Sequence, residues 1–321
     1  MFKKIKIFSL ILICSFLSLT PSPFVSAASQ KNSPPKEKPD VWLQVSPVSN
    51  RVILRPNDNL EYNFRVENIG AKAFKYKVYA APYSVTDENY NLNFSSQTSR
   101  TQLSRWIEFK QPDGNFSKEF SQSINPGEKQ NITYRVSVPK DIPDGGQYAT
   151  IFAQSEPEGN SNSPGIRTVS RVGVVIFGRT LGKTKSTAKI ANFSLPGFLA
   201  GGNLSTNSKV KNSGNIDFGV HYSLTVKKIF GSKIYEKTQA FDVLPGTSRK
   251  VSMLWQKTPK FGIFHVTAKV SAVDQSKTVS KLVLIMPLFV LIIVLILLTI
   301  LIIWTIILIK KRRDQRASLI V

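Results

Sequence analysis

Within residues 126–153, PGEKQNITYRVSVPKDIPDGGQYATIFA, the positions 132–138 alternate apolar and polar with a period of two. Ile132, Tyr134, Val136 and Val138 fall on one side, and Thr133, Arg135 and Ser137 on the other. That period predicts a strand with one buried face and one wet face. Pro139 ends it, because proline has no N–H to give to a ladder. Asp144-Gly145-Gly146 predicts a turn, and residues 147–153 a second strand. The same order of signals returns from Pro245-Gly246 to Val270. The segment Val66-Glu67-Asn68-Ile69-Gly70 is echoed by Val210-Lys211-Asn212-Ser213-Gly214. The first copy is longer: its extra residues lie around 81–120, where the alternation loosens apart from Trp106-Ile107-Glu108-Phe109. Short strands between turn residues, with few helix signals, predict an all-β fold of two tandem immunoglobulin-like β-sandwiches, at 41–182 and 183–281.

The two ends read differently. Residues 1–27 have the form of a signal peptide, with Lys3, Lys4 and Lys6, then an apolar run, then Val25-Ser26-Ala27. Residues 28–40 are polar and proline-rich and read as a disordered linker. Residues 282–309 are 28 positions without a charge, enough for a transmembrane helix, with Pro287 in its outer part. The basic tail 310–321 follows with Lys310, Lys311, Arg312, Arg313 and Arg316. The positive-inside rule puts that tail in the cytoplasm. The expected location is the cell membrane, crossed once, with both sandwiches outside.

Charge and cysteine content sharpen this picture. The net charge is +23, but residues 41–182 hold 16 Lys and Arg against 13 Asp and Glu, whereas residues 183–281 hold 16 against 4. The second sandwich is therefore the basic one. The sole cysteine, Cys14, falls in the cleaved segment, so a mature chain has no disulfide and no thiol chemistry. An exported location excludes nucleic acid as the partner of the basic surface. Anionic lipid headgroups or wall polymers are its expected contacts, through Lys227, Lys228, Lys233, Lys237, Arg249 and Lys250.

In layout, and in Tyr62 to Val66 with Asn68-x-Gly70, Ser104-Arg105-Trp106-Ile107, Pro126-Gly127-Glu128, Val138-Pro139-Lys140 and Gly145-Gly146, the chain resembles the WxL-interacting proteins of Gram-positive surfaces. The resemblance implies a peptidoglycan-associated first domain and a second domain that binds a partner or host protein. The expected function is a membrane-anchored binding protein that holds a cell-wall polymer (peptidoglycan or teichoic acid) or a surface protein. The alternatives are a structural subunit of a membrane complex and a wall-modifying enzyme. The loosely patterned segment 81–120 is the expected contact surface.

Catalytic and cofactor chemistry finds little purchase, and neither an enzyme nor a cofactor is expected. Ser186-Thr187-Ala188-Lys189 and Ser205-Thr206-Asn207 match two motifs of penicillin-binding enzymes, but the downstream Lys-Thr-Gly is missing and both matches lie in strand or loop pattern. Leu244-Pro245-Gly246-Thr247-Ser248 is close to a sortase signal but sits at the repeated internal turn. His221 and His265, the only histidines, point opposite to their apolar neighbours and lack supporting carboxylates for a metal. Asp87, Glu88 and Asp113 fall in loops without calcium-loop spacing. Trp42, Trp106 and Trp255 read as sandwich core rather than sugar platforms.

Overall fold

The computed structural model describes residues 38–156 and 169–317; the expected signal peptide at 1–27 and the linker up to residue 37 lie outside them. In chain order the first sandwich contains β1 (Leu43–Ser46), β2 (Ser49–Leu54), β3 (Asn59–Asn68), β4 (Phe74–Pro82), β5 (Ser84–Val85) and β6 (Leu92–Asn93). There follow the single turn α1 (Leu103–Trp106), β7 (Ile107–Lys110), β8 (Phe116–Ser117), β9 (Glu119–Ile124), β10 (Lys129–Ser137), β11 (Gly146–Ser155) and β12 (Arg171–Thr180). One sheet runs β1-β3-β10-β7-β8 and the other β2-β12-β11-β4-β9. The alternation of β10 sets its register: Ile132 stands opposite Phe64, and Tyr134 lies between Tyr62 and Phe109. These inward rows meet Val78, Ile151 and Ile176 of the second sheet in one buried core. The chain changes sheets between β1 and β2, where Ser46–Pro47 is cis and β2 joins β12 in parallel.

The second sandwich contains β13 (Ala188–Ser194), β14 (Phe198–Leu199), β15 (Leu204–Asn212), β16 (Phe218–Lys228), β17 (Lys233–Val243), β18 (Ser248–Trp255), β19 (Gly262–Ala272) and β20 (Gln275–Ile285). Its sheets are β13-β15-β18 and β14-β20-β19-β16-β17. Val220, Tyr222, Leu224 and Val226 of β16 alternate inward onto Val251, Met253 and Trp255 of β18, forming a separate core. The architecture is therefore two tandem immunoglobulin-like β-sandwiches followed by one apolar helix, α2 (Leu288–Ala317).

The sequence repeat has a physical basis. Asn68 is fully buried, and its amide donates to the Lys72 and Ile124 carbonyls at 2.8 and 3.3 Å while its Oδ1 accepts the Gly70 N–H at 2.9 Å. Asn212 does the same with Ile216, Val243 and Gly214, at 2.8, 2.9 and 2.9 Å. The two glycines of the Pro-Gly turns, Gly127 and Gly246, donate to the Asn68 and Asn212 carbonyls at 2.8 and 3.0 Å. Each Asn thus ties a strand end to the hairpin turn beside it, which is why the two motifs travel together.

The expected start of the helix at Leu282 requires correction. Leu282–Ile285 belong to β20 and pair with Gly262–His265, and α2 begins at Leu288. Pro287 stands at the helix entrance, where its missing N–H costs no helical bond. Residues 288–310 are long and apolar enough to cross a membrane.

Candidate functional site

The densest polar and aromatic constellation lies where the two sandwiches meet, and the segment 81–120 builds much of it. The β5–β6 hairpin holds Tyr90 at φ +66°, a left-handed conformation that is strained for a bulky side chain. The turn fixes it there through Tyr90 N–H to the Asp87 carbonyl at 3.1 Å. The Tyr90 hydroxyl accepts the Leu244 N–H at 2.6 Å and lies 3.0 Å from Thr247 Oγ1. The Arg249 guanidinium covers the ring at 4.1 Å, and Arg249 also donates to the Asp242 carbonyl at 2.6 Å. Beside this, the Lys250 N–H donates to the Glu88 carbonyl at 2.7 Å, and the Lys209 ammonium pairs with the Glu88 carboxylate. Tyr90, Tyr148, Phe177 and Leu244 form a small buried cluster of their own, joined by Tyr83, Val85 and Val175.

A second group of contacts centres on Asp217, only 3% exposed. Its carboxylate pairs with Arg51 and accepts the Tyr148 hydroxyl at 3.1 Å, while its N–H donates to Tyr148 Oη at 2.9 Å. Arg51 also reaches Asp242 at 2.7 Å and lies 4.5 Å over the Phe177 ring. Burial, and then the Asp217 charge, push the Tyr148 phenol well above its ordinary range. Burial pulls Arg51 down, but the Asp217 and Asp242 carboxylates outweigh it and hold Arg51 above its ordinary value. A backbone bond, Gly146 N–H to the Asn215 carbonyl at 2.8 Å, completes the join. These groups are saturated by one another; their chemistry is that of a clamp. Within the segment expected as an external contact surface, Glu88 and Tyr90 are therefore engaged by the chain's own second sandwich, while residues 112–115 and 117–119 stay exposed.

The six basic residues singled out in the sequence do not form one patch. Lys227, Lys228 and Lys233 gather at the β16–β17 turn, with Lys227 opposite Lys233. Lys237 lies further along β17, opposite Leu224. Arg249 is taken up in the junction, and Lys250 stands on the outer face of β18 opposite Lys209. His221 and His265 do share the outer face of one sheet, but they stand opposite Ser271 and Lys227, six residues apart along β16. At ~3.3 Å per residue that is roughly 20 Å, too far for a common metal. Among the described residues no group of three His, Cys, Asp or Glu is placed to hold a metal ion. Ser186 precedes β13 and Thr206 is buried under the Tyr222 hydroxyl at 2.6 Å, so the two motif fragments assemble no nucleophile. Trp106 and Trp255 are core residues, as expected, whereas Trp42 is 47% exposed.

Sequence reasoning passed over Arg51, Tyr90, Tyr148 and Asp217. One signal was available: Asp217 and Asp242 are two of only four acids in residues 183–281, and both end on Arg51.

The sheet edges differ in how open they are. The β9 edge is blunted, since Gln111 and Gln130 donate their amides to the Glu119 and Ser123 carbonyls at 2.9 Å each. β13 carries a register shift between Ala191 and Ser194. β17 pairs with β16 on one side only, runs 11 residues, and is exposed over most of its length.

No family model matches the chain, and no curated protein matches it. Among solved structures it is similar to the class 5 fimbriae chaperone CfaA, at 10% identity over 74% of this chain and 98% of that one, TM-score 0.37. It is similar to the chaperone YadV at 11% identity over 76% and 99%, TM-score 0.37, and to the Escherichia coli chaperone DraB at 14% over 76% and 97%, TM-score 0.33. The expected membership of the WxL-interacting family is corrected by these findings: no family model and no curated protein matches the chain, and the similar solved structures named above are chaperones. The function that rested on that resemblance, holding a cell-wall polymer or surface protein at the envelope, is withdrawn with it, together with its alternatives as a membrane-complex subunit or wall-modifying enzyme.

Proposed function

We propose that the chain is a non-enzymatic receptor for an extended segment of a protein partner, which adds as a further strand to β17. The observation that carries this reading is the free edge of β17 itself. Among the described residues it is the longest edge strand in either sandwich, it faces solvent, and its outer backbone groups meet no neighbouring strand. Such an edge offers main-chain hydrogen bonds for affinity and alternate side-chain positions for selectivity. Lys233 and Lys237 guard it against indiscriminate pairing and favour a segment with acidic residues at matching positions. α2 crosses the cell membrane once in this reading, with the sandwiches outside and the basic run 310–316 in the cytoplasm.

The test is a photo-activatable cross-linker placed at Thr238 of β17 and, for comparison, at Ser121 of the blunted β9, in membranes of the producing cell. The expected result is an adduct from Thr238 alone, mapping to one extended stretch of a single protein. Equal adducts from Ser121, or adducts scattered over many proteins, would refute it.

A further inference from the structure

The end of the second sandwich from which α2 leaves differs in composition from the rest of the surface. Register brings four segments to this end. Lys228 of β16 stands opposite Phe264, Gly262 opposite Ile285, Phe198 beside Leu284, and Leu204 opposite Trp255. The loops that project here are 229–232 and 256–261, with 200–203 beside them. Thr258 Oγ1 donates to the Gly202 carbonyl, and Met286 N–H to the Leu199 carbonyl at 3.0 Å, so the loops are held to one another and to the start of α2.

Their tips are apolar and uncovered. Phe230 is 98% exposed, Phe261 65% and Ile229 53%, although the loops around them are built of ordered turns. The turn at Phe230 is closed by Lys228 N–H to the Ser232 carbonyl at 2.9 Å and Gly231 N–H to the Lys228 carbonyl at 3.0 Å. Exposed Lys227, Lys228, Lys233, Lys257 and Lys260 surround these tips. The segments 195–203, 227–234, 256–263 and 282–289 contain no Asp or Glu; Glu236, just beyond, is paired with Lys233. Only Met286 and Pro287 separate β20 from α2. That connection spans at most ~11 Å, comparable with a Debye length of ~8–10 Å at physiological salt.

From this geometry we infer that this end of the second sandwich docks on an anionic lipid surface. Phe230, Phe261 and Ile229 enter the headgroup layer, and Lys227, Lys228, Lys257 and Lys260 pair with lipid phosphates around them. Aromatic side chains suit that layer, and lysines above it are drawn to anionic headgroups and extend their stems toward them. The second sandwich then stands end-on at the bilayer with β17 rising from it.

The inference rests on α2 crossing a bilayer. Its test uses the full chain with Cys14→Ser and Phe230→Cys, labelled with an environment-sensitive fluorophore and reconstituted into vesicles of phosphatidylglycerol or of phosphatidylcholine. Asn115→Cys in the first sandwich serves as reference. Flotation of the chain with the vesicles checks the membrane reading separately. The expected result is quenching of the 230 probe by headgroup-labelled quencher lipid in phosphatidylglycerol, with at least about tenfold protection from aqueous iodide relative to the 115 probe. Protection should fall several-fold in phosphatidylcholine and in a Lys227→Gln, Lys228→Gln, Lys260→Gln chain, whose substitutions are all at exposed positions. If the chain floats but the 230 probe is as open to iodide as the 115 probe, or is protected regardless of headgroup charge, the inference fails. Failure to float at all overturns the membrane reading on which it stands.

Discussion

Tyr90 is the point at which the two sandwiches can be uncoupled. Removing its hydroxyl in Tyr90→Phe leaves the Leu244 N–H without its acceptor in a buried position. An orphaned buried donor costs about 1–3 kcal/mol. Thr247 suffers less, because its hydroxyl also donates to the Leu244 carbonyl at 2.8 Å. Truncation in Tyr90→Ala further removes a ring that is only 9% exposed and is packed with Tyr148, Phe177 and Leu244. Deleting a buried aromatic side chain costs about 3–5 kcal/mol. Alanine brings no relief of the backbone, since it too is disfavoured at φ +66°. The Tyr90 side chain either reaches directly from the first sandwich to the second or supports a group that does, so the cost falls on the coupling between them. The assay is denaturant-dependent amide exchange of the full chain in micelles, read by mass spectrometry over 132–138 and 264–270, one stretch from each core. The unaltered chain is expected to lose protection in both stretches together. Tyr90→Ala is expected to separate the two transitions, and Tyr90→Phe to do so partially. A single shared transition in Tyr90→Ala, shifted by less than about 1 kcal/mol, would refute the clamp, since a ring that joins the sandwiches has to cost more than that.

Asn68→Ala and Asn212→Ala each remove the donor from two carbonyls, both buried for Asn212 and one buried for Asn68, and the acceptor from one glycine N–H, so each should destabilise its own sandwich by about 2–4 kcal/mol, resolved by the same exchange measurement. Gly127→Ala and Gly145→Ala should differ, although both positions have positive φ: a Cβ at Gly127 meets open space, while at Gly145 it overlaps the Asn215 carbonyl. The first should cost about 1 kcal/mol and the second clearly more, measured as shifts in denaturation midpoint. The Arg135 hydrogen bond, helped by Lys118, holds the Glu108 carboxyl below its ordinary value of 4.5 despite some burial. A depressed folded-state value stabilises above 4.5 and is lost as pH falls through the lower folded value. Stability of the first sandwich should therefore decline below pH 4.5, and Glu108→Gln should flatten that decline in an acid titration of the midpoint.

What the sequence disclosed and what it hid follow from one distinction, whether a strand has one buried face or two. β10 and β16 each bury a single face, so Ile132 to Val138 and Val220 to Val226 alternate visibly. β11 is buried nearly throughout, Ala149, Ile151 and Ala153 in the main core and Tyr148 in the junction cluster, so its sequence shows no alternation to read. The same second face explains 81–120: Tyr83 and Tyr90 answer to aromatics of the outer sheet face and to Leu244, partners that periodicity along their own segment cannot reveal. The strand–helix boundary was hidden because Leu282–Ile285 and α2 are both apolar, the first packed and paired in the sheet and the second long and apolar enough to cross a bilayer. The basic residues were legible as a total but not as a distribution, since nothing local distinguishes Arg249, stacked in the junction, from Lys228 at the far tip.

The direct run of β20 into α2 also decides how this protein answers to mechanical force. Tension between α2 and the first sandwich pulls β20 along its own axis, while its paired neighbour β19 holds it over eleven residues. The ladder bonds lie across that axis, so they are strained together in shear and cannot be peeled open one at a time. The inter-sandwich clamp has no such arrangement: it is a handful of side-chain interactions, the backbone bonds from Lys250 to Glu88 and from Gly146 to Asn215, and a small cluster of Tyr90, Tyr148, Phe177 and Leu244. Under a pull the clamp is expected to give before β20 leaves β19, which constant-force extension of the chain would record as a first lengthening step ahead of the unfolding of the second sandwich.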